Sequence, residues 1–227
     1  MLNFVDSVSH QRFFCLETFE HSSLFQNKEP VWGALKRLKS YLDLSSLGTI
    51  NCEIPFCVTL KNPGKISIGE GTIVEPGVYI QGPCIIGKNC QLRHNSYIRP
   101  YLVTGNDCVI GHGVEIKSTI LLEGVRVSHF NYIGNSILGN RVNMGAFATC
   151  ANSRLDKKSI SVRIGKKKFY TGMDKLGAVV GDLSQIGCHV LLNPGLLLDK
   201  NTNIFLSSSI SHSNVTPEVP AAFSLAH

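Results

Sequence analysis

Five short stretches of this 227-residue chain carry side chains able to act on a polar substrate: Tyr97-Ile-Arg-Pro100, Val114-Glu-Ile-Lys117, Val127-Ser-His-Phe-Asn-Tyr-Ile-Gly134, Arg141-Val-Asn-Met-Gly-Ala146 and Thr149-Cys-Ala-Asn152. An imidazole ordinarily titrates near working pH, so His129 has the chemistry of a proton acceptor. Arg99 and Lys117 offer fixed positive charge to an anion, while Tyr132, Asn143 and Asn152 offer hydrogen-bonding groups. Taken singly, each has a plainer reading: His129 as a surface or core histidine, Asn143 as a turn residue, Tyr132 as a packing residue.

These side chains need a scaffold, and the chain supplies one with a period of six. Ile68, Val74, Ile80, Ile86, Leu92, Ile98, Thr104, Ile110 and Ile116 are spaced by six, and eight of the nine are aliphatic. Four positions after each lies a smaller or β-branched series: Thr72, Val78, Cys84, Cys90, Ser96, Leu102, Cys108, Val114 and Ile120. A period of six fits neither a helix nor a simple alternating strand, and implies an all-β solenoid of short flat strands with regular corners. The step shortens to five at Leu121 and again at Leu138, then the series resumes as Val180, Ile186, Leu192, Leu198 and Ile204. Three hexads make a triangular coil, with coils stacked at about 4.8 Å. Glu115 lies two residues before Lys117, on the same strand face, from which it could orient His129 in a neighbouring coil.

The domain expectation is a partly helical segment over 1–50, a β-helix over 51–211 interrupted by an excursion at 153–175, and a tail over 212–227. In the first segment Trp32, Leu35, Leu38 and Leu42 are helically spaced behind Pro30, which suits a first helical position and a cap on the solenoid's open end. No Gly-rich phosphate loop appears there. The excursion reads as a hairpin around Gly165-Lys166. Between 154 and 175 eight basic residues face Asp156 and Asp174, a surplus of six that equals the net charge of the whole chain. That field suits an anionic ligand such as coenzyme A or a sugar phosphate, or is simply a solvated face; without an aromatic platform or a recognised motif it does not point to nucleic acid. The eight cysteines contain no Cys-x-x-Cys pair, and Cys84, Cys90 and Cys108 read as reduced core residues. No basic, apolar leader or membrane-length apolar run occurs, so the expected location is cytoplasmic, with no membrane partner.

The repeat resembles the hexapeptide-repeat acyltransferase family, which implies a left-handed parallel β-helix and a homotrimer. The five stretches, with Lys175-Leu-Gly-Ala-Val-Val-Gly-Asp182 and Leu192-Asn-Pro-Gly195, resemble the acetyltransferase domain of the bifunctional N-acetylglucosamine-1-phosphate uridyltransferase/glucosamine-1-phosphate acetyltransferases and their archaeal-type sugar-phosphate nucleotidylyltransferase relatives. The resemblance implies that His129 is the general base and that Asn152 positions or polarises the acyl donor. It implies that Arg99, Lys117, Tyr132, Asn143 and Lys158 hold the amino-sugar phosphate. It places coenzyme contacts at Ala146, Cys188 and Leu206. The last two depart from the small residues of the pattern, and the basic C-terminal tail that holds coenzyme in the bacterial enzymes is missing.

The implied activity is acetyl transfer from acetyl-CoA, as co-substrate and with no metal, to a hexosamine 1-phosphate in UDP-N-acetylglucosamine synthesis. The alternative is a non-catalytic scaffold or regulatory subunit of a separate nucleotidyltransferase chain. A β-helical carbonic anhydrase would need clustered histidines, and His94, His112 and His129 lack that spacing.

Overall fold

In the computed structural model the described residues are 4–165, 167–206 and 209–210; the expected tail at 212–227, and Lys166 of the expected Gly165-Lys166 turn, lie outside them. Short parallel strands form one eight-stranded and two seven-stranded sheets, which wrap as the left-handed parallel β-helix. Register fixes the coil lengths. Tyr79 pairs with Tyr97 and Tyr97 with Glu115, 18 residues apart, whereas Glu115 pairs with Tyr132 and Tyr132 with Thr149, 17 apart. The two five-residue steps therefore create two short coils: His129 and Tyr132 lie on the first, and Asn152 follows the second.

The aliphatic series points inward: Ile80, Leu92, Ile98, Ile110, Ile116 and Ile133 are fully buried. Burial of each such side chain contributes about 1.5–3 kcal/mol. Cys84, Cys90 and Cys108 are buried free thiols in the same interior, and burial pushes Cys84 up to about 12. Corners are turned by left-handed residues that recur once per coil, such as Asn89, Asp107 and Arg141 on one edge and Asn95, Phe130, Phe147 and His189 on another. Asn and Asp tolerate this conformation well, but two phenylalanines do not, so the coil imposes it on them.

One position of the smaller series is displaced. Leu102 pairs with Thr119, which is buried, and Ile120 pairs with Val103 on the outer face. The residue lost in the first short step falls before Thr119, so Ile120 slips outward. It joins Val103, Ile137, Val179 and Leu197 in an apolar stripe.

That stripe decides where the N-terminal segment goes. The helix Gly33–Leu44 packs Leu35, Leu38 and Leu42, with Trp32, on the stripe, so the segment covers one flank of the coil rather than capping its open end. The helix begins at Gly33 instead of Pro30, because Pro30 and Val31 accept turn bonds from Gly33 and Ala34 before it. No helix of the described residues is long and apolar enough to cross a membrane.

A ladder of side-chain acceptors stitches the Asn89, Asp107 and Arg141 corner. The backbone N–H of Lys88 donates to Asn106 Oδ1, that of Asn106 to Glu123 Oε2, that of Glu123 to Asn140 Oδ1 and that of Asn140 to Asp182 Oδ1, at 2.6–3.1 Å. Glu123 is longer than its neighbours, and its second oxygen is buried without a partner among the described residues. Burial pushes its carboxyl pKa up, the Asn106 bond offsets this only in part, and Asp107 and Glu20 add to it. A raised carboxyl pKa means the folded state binds more protons, so this stabilisation is present below the unfolded pKa and is lost as pH rises through the folded one. Glu123→Gln is expected to stabilise the fold at neutral pH by about 1 kcal/mol and to flatten stability across that window, as measured by urea unfolding at several pH values.

Candidate functional site

The outward face of the eight-stranded sheet collects the cations. Ile98, Ile116 and Ile133 point inward, so their neighbours on either side point out. Tyr97, Glu115, Tyr132 and Thr149 form one column by register, and Arg99 lies beside Lys117 through its N–H bond to the Ile116 carbonyl. Arg99 Nη1 bonds Glu115 Oε1 at 2.8 Å, and its guanidinium stands 5.9 Å from the Tyr97 ring. Glu115 thus holds Arg99 in place rather than orienting His129, and the bond raises the Arg99 pKa. Lys117 is shifted down by burial, then by Lys175 and Arg99.

Lys117 pairs with Gly134, and there the surface becomes an amide floor. A Cβ on Gly134 would come within 2.6 Å of Asn152 Nδ2 and 2.8 Å of Tyr132 Oη. The missing side chain lets Tyr132 and Asn152 meet, and Asn152, 6% exposed, donates to Asn135 Oδ1 at 2.7 Å. Burial and the Glu115 charge raise the Tyr132 phenol, while Arg99 and the Asn152 hydrogen bond act in the other direction.

His129 stands at the end of the strand Arg126–His129 on a different sheet, just before the Phe130 corner. It pairs with His112, yet the two imidazoles are held differently. In the longer coils the ring binds the coil before it: His94 Nδ1 lies 2.8 Å from the Pro76 carbonyl, and His112 Nδ1 lies 2.8 Å from the His94 carbonyl. The short coil breaks the series, because the Phe130 backbone N–H takes the His112 carbonyl at 2.9 Å and the Phe130 ring packs edge-on against His112 at 4.8 Å. Among the described residues nothing then engages the exposed imidazole of His129.

Continuing the register puts Ala146, Cys188 and Leu206 in the His129 column, one per coil. Cys188 is an exposed free thiol and Leu206 is 70% exposed. Asn143 lies on the same sheet but pairs with Arg126, three residues back along the strand, about 10 Å from the Ala146 column. Lys158 is exposed, and its backbone N–H bonds Asp156; the excursion cation whose charge reaches Lys117 is Lys175 instead. From sequence Lys175 counts only as charge and as the first residue of the Lys175–Asp182 match, and Asn135 is missed. Counting back from Gly181-Asp182, after the excursion, rather than forward from Asn152 would have found Lys175. Among the described residues no cluster of three or more His, Cys, Asp and Glu side chains is suited to a metal ion.

The family described as the GMPPB C-terminal domain matches residues 80–219. A bifunctional sugar-1-phosphate nucleotidylyltransferase/acetyltransferase of Sulfurisphaera tokodaii is 36% identical over 146 residues, 64% of this chain and 36% of that one. A bifunctional protein GlmU of Methanocaldococcus jannaschii is 34% identical over 170 residues, 75% of this chain and 41% of its own. An uncharacterized acetyltransferase YaiX of Escherichia coli is 33% identical over 170 residues, 74% of each chain. The chain thus spans well under half the length of the two bifunctional relatives. With the matched segment covering the coils that carry the site, the chain belongs to the GMPPB C-terminal domain family and, within the β-helical proteins, to the hexapeptide-repeat acyltransferase family.

Proposed function

We propose that the protein transfers an acetyl group from acetyl-CoA to the amine of a hexosamine 1-phosphate, glucosamine 1-phosphate first, for UDP-N-acetylglucosamine synthesis. One observation carries the reading: an imidazole at His129 that no described residue engages stands across the Phe130 corner from a surface where Arg99 and Lys117 border the Tyr132–Asn152 amide floor. The sugar phosphate sits on the two cations. The neutral amine attacks the thioester carbonyl, His129 takes its proton, the C–S bond breaks and coenzyme A leaves as the thiol after protonation. Asn152 and the Ala146 main chain supply hydrogen bonds to the developing oxyanion.

The imidazole and the cationic face lie on different sheets of one chain, so a second copy that brings its corner against this face completes the site, as in a homotrimer. A soluble cytoplasmic enzyme, with or without a separate nucleotidyltransferase partner, fits this reading. The test follows free thiol with acetyl-CoA and glucosamine or galactosamine 1-phosphate, alongside native mass. Thiol release from a species three chains in mass is expected. No release above a His129→Ala control, together with tight binding of a nucleotidyltransferase and no coenzyme A affinity, would replace the enzyme with a scaffold.

A further inference from the structure

The basic excursion folds as a firm antiparallel hairpin, Ile160–Ile164 against Lys167–Met173. Its inner face is anchored: Ile160 and Val162 are buried in the flank cluster, and Thr171 Oγ1 donates to the Ile160 carbonyl at 2.7 Å. Its root sits on the turn at Gly195, where φ is +79° and a Cβ would lie 2.7 Å from Ile160 Cγ2 and 2.8 Å from the Ser161 carbonyl. This close approach builds a groove of about 510 Å³ between the outer hairpin face and the Asn193-Pro194-Gly195 turn.

The groove is net cationic: on its lining Asp156 is matched by Arg154, which leaves Arg163 and Lys168 in surplus. Arg163 and Lys168 line it and stand directly opposite each other across the hairpin, an arrangement of like charges that opposes folding. The sequence from 157 to 173 contains no acidic residue. The acids that flank this stretch in sequence are engaged: Asp156 accepts from Arg154 Nε and Nη2 at 2.6–2.7 Å, and Asp174 accepts from Ser159. Tyr170 alternates with Lys168 on the same strand face; its ring is 80% exposed, with the Lys168 ammonium 5.2 Å from its centre. A bridging phosphate relieves the cation pair, and an aromatic base finds a ring to stack on.

Position selects the ligand. Ser153, at the groove's edge, directly follows Asn152, and Cys150 pairs with Leu192, so the Asn193–Gly195 wall lies one coil above Asn152. The same one-coil step leads from Ala146 to Cys188. We propose that this groove binds the phosphorylated nucleotide end of the acyl-CoA donor, with Arg163 and Lys168 on its phosphates and Tyr170 against its adenine. This rests on the acetyl-CoA reading above, and it gives the hairpin the coenzyme-holding role.

Calorimetry with adenosine 3′,5′-bisphosphate on the full chain tests the proposal. Binding that weakens with added salt is expected, at least 10-fold weaker in Arg163→Gln/Lys168→Gln, with dephospho-coenzyme A binding more weakly than coenzyme A. Removing the opposed cations should leave Tm unchanged or raised, which separates lost binding from lost folding. Glucosamine 1-phosphate affinity should be unchanged. No binding of the bisphosphate to the native chain, or equal binding by the double variant, overturns the assignment; so does a loss of glucosamine 1-phosphate affinity, which gives the groove to the acceptor. Bisphosphate binding with no thiol release would leave the groove standing and remove the proposed acetyl transfer.

Discussion

His129→Gln is expected to lower kcat for acetyl transfer by about 10²–10⁴-fold, the span of a positioned general base, with Tm unchanged. The stability half of this expectation follows from the structure. The ring is exposed and engages nothing among the described residues, so its replacement leaves no cavity and no orphaned partner. His112→Gln gives the contrast, because its imidazole is bound to the His94 carbonyl and packs against His94 and Phe130. That change should lower Tm with a smaller effect on turnover. Equal losses of rate in the two variants would remove the base assignment from His129 and make the histidine ladder a matter of folding alone. Steady-state kinetics and thermal melts on both variants make the comparison.

Lys117→Gln is expected to raise KM for the sugar phosphate by about 10- to 100-fold, the loss of one hydrogen bond between charged groups, while KM for acetyl-CoA holds. The same residue sets a pH dependence. Burial first, then Lys175 and Arg99, lowers its pKa, so its charge is lost at a lower pH than that of an ordinary lysine, and acceptor affinity should fall on that alkaline limb. Lys117→Arg keeps the charge throughout the range and should flatten the limb. The linkage to stability has the opposite sense. A lysine with a depressed folded pKa holds fewer protons folded than unfolded, so its contribution to stability improves as pH rises from the folded pKa toward the unfolded one. KM measured from neutral to alkaline pH for the three proteins separates these effects.

Much of this was legible in the residues. The six-residue series named almost every inward side chain, because an interior that stacks identical coils repeats its packing demand at each level. The short steps at Leu121 and Leu138 were visible as well, and they mark the coil that carries His129 and Tyr132 and the one that leads to Asn152. Their consequence was less visible. The pattern does not show on which side of Thr119 the lost residue falls, so it puts Ile120 inside, whereas Ile120 belongs to the outer stripe. That stripe draws the N-terminal helix to the flank, and its members are scattered from Val103 to Leu197 with no common local signal.

By itself the sequence determined the scaffold, the order of the coils, and the residue types arrayed along them. The tertiary structure decided which of those residues meet and how each is held. Gly134 lets Tyr132 reach Asn152, Glu115 goes to Arg99, Lys175 rather than Lys158 bears on Lys117, and His129 loses the backbone partner that its neighbours in the ladder keep. The reason is geometric. A repeat fixes the direction in which each side chain leaves the coil, but side chains 16 to 58 residues apart become neighbours only when the coils stack. One residue fewer in a coil then changes which donor reaches which carbonyl.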